Sequence, residues 1–388
     1  MLPATIAARM ALDPDIVYLD HAAFSPLPKK TKWILEQLIE AKAKLGTLAP
    51  DFSIEEFIKK NMPLGRRITA ELIGGSPEGV AFTRSTLQGL HTVVEGFPWK
   101  TSNNLVITDM EFTTNSYVHQ VIAKKNKIDL RVVPSQNGIL RFEDFERLID
   151  EKTVLVAISL VQFSNGFRVP IKEISNLVHN MGGFLLVDGI QAVGAIPVDC
   201  KTMQIDALAA GAYKWGLGPF NTGLLWVSEE LREILVPSFV GWWSTENPLR
   251  QMNHCKFVPA NTAQHYEPSP TFEVLGMVES FRFLLDIGID KIWDNIRATT
   301  DYLIKRCQET GLQVYSSVVP SHRSGIVSLG WPKMDANKVG ERLRQDNIAV
   351  SPRAGAIRAS PHAYNSEDDI DRFIDALLRL KKTDVNRE

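Results

Sequence analysis

The chain predicts an α/β fold: a mostly parallel sheet in a large unit, followed by a smaller α+β unit. Two patterns carry that expectation. From about residue 79, apolar runs of strand length alternate with helical stretches. Beyond about residue 237 the alternation stops, prolines punctuate an irregular connection, and a second mixed pattern begins. Near-continuous apolar strands separated by helices argue for a parallel sheet covered on both faces, because each crossover helix lands on a face.

The elements follow in order. Residues 32–46 carry apolar side chains at helical spacing. Leu105–Ile107, Leu130–Val133, Val154–Ile158 and Phe184–Val187 read as strands. Residues 113–125, 142–150 and 171–181 read as the helices between them. Gly182-Gly183 closes the last of these, since glycine accepts the left-handed turn that ends a helix. Pro237, Pro248, Pro259, Pro268 and Pro270 then break the chain. Two helices follow, over 272–286 and 289–311. The rest alternates: strands Gln313–Ser316 and Gly325–Leu329, helix Asp335–Asp346, strands Ile348–Ser351 and Ala356–Ser360, and helix Ser366–Lys381. The expected large domain is 16–255. The expected small domain is 256–388 together with 1–15.

Length and charge bound the function. The chain has 388 residues, enough for two or three domains and a sizeable core. Its formal net charge of −2 supplies no basic field for nucleic acid. No apolar run approaches the ~18 residues of a membrane span. Asp13 and Asp15 interrupt any leader-type apolar stretch. Three scattered cysteines, Cys200, Cys255 and Cys307, form no disulfide framework and no CxxC pair, which points to a reducing cytoplasm. No metal site is expected, and the partner is read as a small molecule.

Three segments carry chemistry. In Leu185-Leu186-Val187-Asp188-Gly189-Ile190-Gln191 an apolar strand ends on a carboxylate, where ligands of open α/β sheets sit. A carboxylate there can hold a protonated ring nitrogen, and Gln191 can reach a ring oxygen. In Ala207–Pro219 a strand of small residues runs into Tyr213, Lys214 and a glycine-rich turn. Small side chains admit a close ligand, and a lysine in a dry setting becomes a base or nucleophile. In Phe82–Leu90 a strand meets Ser85 and Thr86 before a helix, whose free N–H groups suit a phosphate. Each has a plainer reading alone: a turn-capping aspartate, a surface lysine, an ordinary helix cap.

Together these segments resemble the class V aminotransferase family of fold-type-I enzymes. That family uses pyridoxal 5'-phosphate and includes cysteine desulfurases, selenocysteine lyase, kynureninase, isopenicillin N epimerase and aminotransferases. The resemblance runs from Tyr18-Leu19-Asp20-His21-Ala22-Ala23 to Arg358-Ala359-Ser360-Pro361-His362-Ala363-Tyr364-Asn365, nearly the whole chain. It implies a sheet of the seven-stranded type. It implies that Lys214 binds the cofactor aldehyde and moves protons, that Asp188 partners the ring nitrogen, and that Gln191 meets the ring hydroxyl. Ser85, Thr86 and the Leu87 backbone match the phosphate turn, and Phe112 matches the ring that stacks on the cofactor. Tyr213 and Trp243 look like kynureninase residues that reach the phosphate, the latter across a subunit boundary, which implies a homodimer with a shared site. Arg358 matches the grip on a substrate carboxylate, with His21 and Asn165 (or Gln162) nearby.

The departures narrow the activity. Desulfurases carry a reactive cysteine shortly before that arginine, and Ser351-Pro352-Arg353-Ala354-Gly355-Ala356-Ile357 has none. Phe112 stands where many members have histidine, so it can stack but not carry protons. The expectation is an enzyme acting at Cα or Cβ of an amino acid: an aminotransferase, epimerase or lyase of isopenicillin N epimerase type. The alternatives are a cysteine desulfurase or selenocysteine lyase type enzyme, which the missing cysteine disfavours, and an inactive binding protein of the same fold.

Overall fold

Strands of nearly continuous apolar residues need cover on two faces, and the computed structural model, which describes residues 3–48, 53, 56–248, 256–270 and 272–385, provides it. The strands are β1 (Val17–Tyr18), β2 (Val80–Thr83), β3 (Asn104–Thr108), β4 (Asp129–Val133), β5 (Thr153–Ser159), β6 (Phe184–Asp188), β7 (Ala207–Gly211), β8 (Gly223–Val227), β9 (Gln313–Val314), β10 (Val327–Gly330), β11 (Ile348–Ala349), β12 (Ser351–Arg353) and β13 (Ala356–Ala359). The helices that frame them include α1 (Thr86–Gly96), α2 (Thr113–Asn126), α3 (Ile171–Asn180), α4 (Val274–Ile287), α5 (Ile289–Thr310) and α6 (Glu367–Val385).

One seven-stranded sheet has the order β2-β8-β7-β6-β5-β3-β4. Only β8 runs against its neighbours, so the sheet is mostly parallel. Alternate residues face opposite sides, as strand geometry requires. Val156 and Ile158 of β5 join one apolar cluster with Ile174 of α3 and Phe281 of α4. Leu155 and Ala157 join another, with Leu90 of α1 and Val118 of α2. The edge strand β4 is the exception to two-sided cover, and its Val132 is exposed.

The smaller unit is a four-stranded antiparallel sheet, β12-β13-β10-β9, with β1 and β11 paired separately. The single strand expected over Ile348–Ser351 divides in two. Its first half pairs with β1 and its second with β13, so the chain changes partner at the buried Val350. Pro352 lacks an N–H and accordingly lies on the edge strand β12.

The packing of the N-terminal residues differs from the sequence reading. Ile6 and Met10 are buried in the large cluster with Val274 and Phe281. Val17 and Leu19 are buried in the small cluster with Leu329 and Phe373. Strand β1 finds its partner at β11, a pairing between residues far apart in sequence that no local pattern announces. Helix α5 spans both clusters, with Ile292 and Ile296 in one and Leu303 and Cys307 in the other. The boundary expected near residue 255, and Cys255 itself, lie outside the described residues. Cys200 and Cys307 are buried free thiols. Among the described residues no helix is long and apolar enough to cross a membrane.

The turn after β6 is held by a close approach. Gly194 has φ +95°, and a Cβ there would meet the Trp215 carbonyl oxygen at 2.4 Å. Gly194→Ala is expected to cost about 2 kcal/mol or more, from left-handed backbone strain plus that clash. Urea unfolding measures it; a variant as stable as the wild type contradicts the packing described.

Candidate active site

The register of the sheet sets the stage. Ser159 of β5 pairs with Asp188 of β6, and Asp188 with Ala209 of β7, so three parallel strands end together. Asp188 is buried and accepts from the Ile190 N–H at 2.9 Å. Burial pushes its carboxyl up to about 7, the Glu111 charge adds to this, and Lys214 opposes it. The turn that follows brings Gln191 beside it. Trp215 Nε1 can only donate, so it fixes Oε1 of Gln191 at 2.9 Å and sends Nε2 to the Ala22 carbonyl, also at 2.9 Å. Gln191 keeps one amide hydrogen unused by these two bonds.

Strand β7 is built of small residues for a reason visible in the packing. A Cβ on Gly89 of α1 would meet the Ala209 Cβ at 2.8 Å, so helix and strand lie in close contact. That contact seats the helix start against the strand end: the Gly211 N–H donates to Thr86 Oγ1 at 2.8 Å. Ser85 caps α1, accepting from the Gln88 N–H at 3.2 Å. Both hydroxyl oxygens act as acceptors here, so both hydroxyl protons remain available to an anion. The N–H groups of the first turn, including Leu87, add their dipole to the same point.

Three residues past β7 stands Lys214, half-buried. Burial lowers its ammonium to about 8, with Asp188 pulling the other way. Lys214 and Asp188 form no ion pair with each other, although they line the same pocket. Nζ lies 5.8 Å from the centre of the Phe112 ring. Phe112 in turn meets Phe163 edge to face at 5.1 Å. Tyr213 stacks on the exposed Phe220 at 5.1 Å.

Of the residues expected at the site, the pocket gathers Ser85, Thr86, Leu87, Phe112, Asp188, Gln191, Tyr213 and Lys214. Sequence reasoning missed Thr114, Ser159, Val161, Phe163 and Ile190, which also line it. Ser159 was findable, because it ends the strand beside β6.

Arg358 of β13 sits directly behind this wall. It is buried, and Nη1 donates to the Phe163 carbonyl at 2.8 Å. Asp20 Oδ1 approaches Nη2 at 3.6 Å, too far for a hydrogen bond. Nε and Nη2 of Arg358 have no hydrogen-bond partner, and Asp20 is the charge facing Nη2. Burial lowers the guanidinium to about 10.

Besides Arg358, three expected residues do not line the pocket. His21 is buried among aromatic rings, where Nδ1 donates to the Ser360 carbonyl at 2.9 Å and Nε2 accepts from the Tyr364 hydroxyl at 2.7 Å. Both nitrogens are spent on joining the N-terminal segment to the small unit. Asn165 fastens a loop: Nδ2 donates to the Gly138 carbonyl and Oδ1 accepts from the Phe167 N–H. The neighbouring Gln162 is fully buried and turns its amide to Glu111. Trp243 is buried within its own chain and donates to Glu267 at 2.8 Å.

The donor set fits a pyridoxal 5'-phosphate. A helix start with two free hydroxyl protons suits the phosphate, a buried carboxylate suits a ring N–H, and a lysine of lowered proton affinity suits an aldehyde. The unpartnered guanidinium N–H groups match a carboxylate on the substrate side.

In the chain free of cofactor, competitive acylation at Lys214 is expected to titrate near pH 8. Asp188→Asn removes the stronger of the two carboxylate charges acting on Lys214, the other being Asp20, so it leaves burial less opposed and moves the midpoint lower. A midpoint in the ordinary lysine range, or a rise in the variant, contradicts the electrostatics described.

The comparisons with known proteins agree with the fold. The profile of Aminotransferase class-V matches residues 17–373. The uncharacterized aminotransferase YcbU of Bacillus subtilis (strain 168) is 28% identical over 325 residues, 83% of this chain and 84% of that protein. A probable cysteine desulfurase of Pyrococcus abyssi (strain GE5 / Orsay) is 24% identical over 402 residues, covering 98% of each. The apo structure of a cysteine desulfurase from Thermococcus onnurineus NA1 superposes with a TM-score of 0.89 at 21% identity, covering 99% of both chains, which speaks to the fold. With a profile match over residues 17–373, the chain belongs to the Aminotransferase class-V family.

Proposed function

We propose that the chain is a pyridoxal 5'-phosphate enzyme that cleaves the Cβ–S or Cβ–Se bond of an α-amino acid directly, without a protein persulfide. Membership of the family makes it an enzyme. The observation that carries the site assignment is the Asp188–Lys214 arrangement, two buried opposite charges lining one pocket without pairing. Desulfurases among its relatives support sulfur chemistry. The absence of cysteine from the hairpin of β12 and β13 supports release of the leaving group without a thiol relay.

Bound at this site, the cofactor supplies an electron sink for bonds at Cα of an amine substrate. The residues then divide the work. Ser85, Thr86 and the α1 N-terminus hold the phosphate. Asp188 holds the ring N–H, and the spare amide hydrogen of Gln191 meets the ring oxygen. Arg358 orients the substrate carboxylate through Nε and Nη2. Lys214, with its lowered proton affinity, takes the proton from Cα. Phe112, Val161 and Phe163 form an apolar wall that excludes water. The overall reaction for a cysteine derivative balances as R–S–CH2–CH(NH3+)–COO− plus water giving R–SH, pyruvate and ammonium.

Exposed Phe24, Leu87 and Phe220 near the pocket support a homodimer that covers this face. The free buried thiols support a cytoplasmic setting. An aminotransferase is the second reading, favoured by the similarity to YcbU. The retained lysine, carboxylates and guanidinium favour catalysis over an inactive binder.

Incubation of the holoenzyme with cystine, S-alkylcysteines and selenocysteine decides between these. The lyase reading expects pyruvate and ammonium in equal amounts, with one equivalent of cysteine persulfide from cystine, of the thiol from an S-alkylcysteine, or of selenide from selenocysteine. Alanine with transferred sulfur points to a desulfurase instead. Amino transfer to an added 2-oxo acid points to an aminotransferase.

Arg358→Ala is expected to raise KM for carboxylate substrates by about tenfold or more, the loss of a charge-assisted hydrogen-bond pair. The corresponding amides lose little. Equal effects on both classes remove Arg358 from carboxylate recognition.

A further inference from the structure

Glu111 is a buried carboxylate that the chemistry above leaves unused. It forms no ion pair among the described residues, although its side chain lies one strand away from Asp188. Five groups donate to it instead. Thr108 Oγ1 reaches Oε1 at 2.9 Å, and Asn115 Nδ2 reaches Oε2. The Ser159 N–H sits 3.1 and 3.0 Å from the two oxygens, and Ser159 Oγ donates at 2.6 Å. Gln162 Nε2 completes the set at 3.3 Å. The amide oxygens of Asn115 and Gln162 are left buried without partners, so both amides are turned to serve the carboxylate. A buried charge this well supplied with donors and lacking a cation keeps its field.

The field has a target. Ser159 is the cross-strand partner of Asp188, and the Leu160 N–H donates to the Asp188 carbonyl at 3.0 Å. We infer that Glu111 is a positioning residue whose negative charge, seated beside the end of β6 and acting through space, raises the hold of Asp188 on the proton of the cofactor ring nitrogen. This rests on the cofactor reading above. The other ionisable groups facing Asp188 are Lys214, whose positive charge acts in the opposite sense, and Tyr213, neutral across the working range because burial and Asp188 both raise its hydroxyl. The same direction appears in Asp188 itself, where Glu111 adds to the effect of burial.

Glu111→Gln removes the charge and keeps the shape. An unscreened charge roughly 10 Å away, at an effective dielectric near 20, moves a proton equilibrium by about one pH unit, or tenfold. The probe is pyridoxal phosphate labelled with 15N in the ring, bound to the full chain and followed by solid-state NMR against pH. The ring nitrogen of Glu111→Gln is expected to lose its proton about one unit below wild type. Ser159→Ala loosens the same cluster but keeps the charge, and is expected to titrate with wild type. If Glu111→Gln does not fold, Gln162→Lys sets an ammonium against the intact carboxylate and is expected to shift the equilibrium in the same direction. An unshifted charge-cancelling variant overturns the inference, as does an equal shift in Ser159→Ala, which would mark a purely structural role. A wild-type chain that binds no labelled cofactor overturns the cofactor reading itself, and this inference with it.

Discussion

Two opposite charges buried at neighbouring strand ends, and kept from pairing, are the constraint around which the rest of this molecule is arranged. Asp188 and Lys214 line one pocket and alter each other's proton affinity, yet they form no ion pair. Leaving a buried charge without a close partner is costly unless something else compensates it. The Ile190 N–H supplies part of that compensation by donating to Asp188. A flat ligand with a basic nitrogen at one edge and an aldehyde at the other resolves the cost from both ends.

The surroundings read as supports for that pair. Helix α1 approaches β7 closely because Gly89 meets Ala209, and this places two hydroxyls and a helix start at one corner of the pocket. Trp215 dictates the orientation of Gln191, and the segment after β1 fixes its other end through Ala22. That same segment is tied to the small unit through His21 and Ser360. The two sheets are thus joined through a residue that touches the pocket, and Arg358 of the small sheet bonds the carbonyl of Phe163 in the pocket wall. Arg358 and Asp188 therefore sit on different units held in one arrangement.

Much of this was legible in the sequence, and the limits have physical causes. The strands β3, β5 and β6 announce themselves because both faces are buried and the residues between their ends are apolar. Asp188 and Lys214 were legible because a polar residue ending such a strand has few places to go but a ligand site. Pairings distant in sequence were not legible: β1 with β11 has two residues of strand and no periodicity, so the N-terminal residues sort between the units in a way no local pattern gives. His21 and Asn165 were expected near the substrate on the strength of motif position alone. Their side chains are consumed by hydrogen bonds that only the folded chain reveals. Trp243 likewise spends its one donor on Glu267, which also carries the buried Arg66. Glu111 was not legible, since nothing in a sequence distinguishes a carboxylate with five buried donors from one in water.

The reaction is narrowed by what the pocket wall contains. Phe112 and Phe163 present rings where proton carriers would be needed to assist a poor leaving group, and the hairpin beside Arg358 offers no thiol. In the proposed reaction Lys214 is the principal proton carrier at the substrate, and its attachment to the cofactor is the claim on which everything else stands. Borohydride reduction of the cofactor-loaded chain, followed by peptide mapping, tests it most directly. The account predicts a single pyridoxyl group on the peptide containing Lys214. A modification on any other lysine, or none at all in a chain that binds the cofactor, contradicts it.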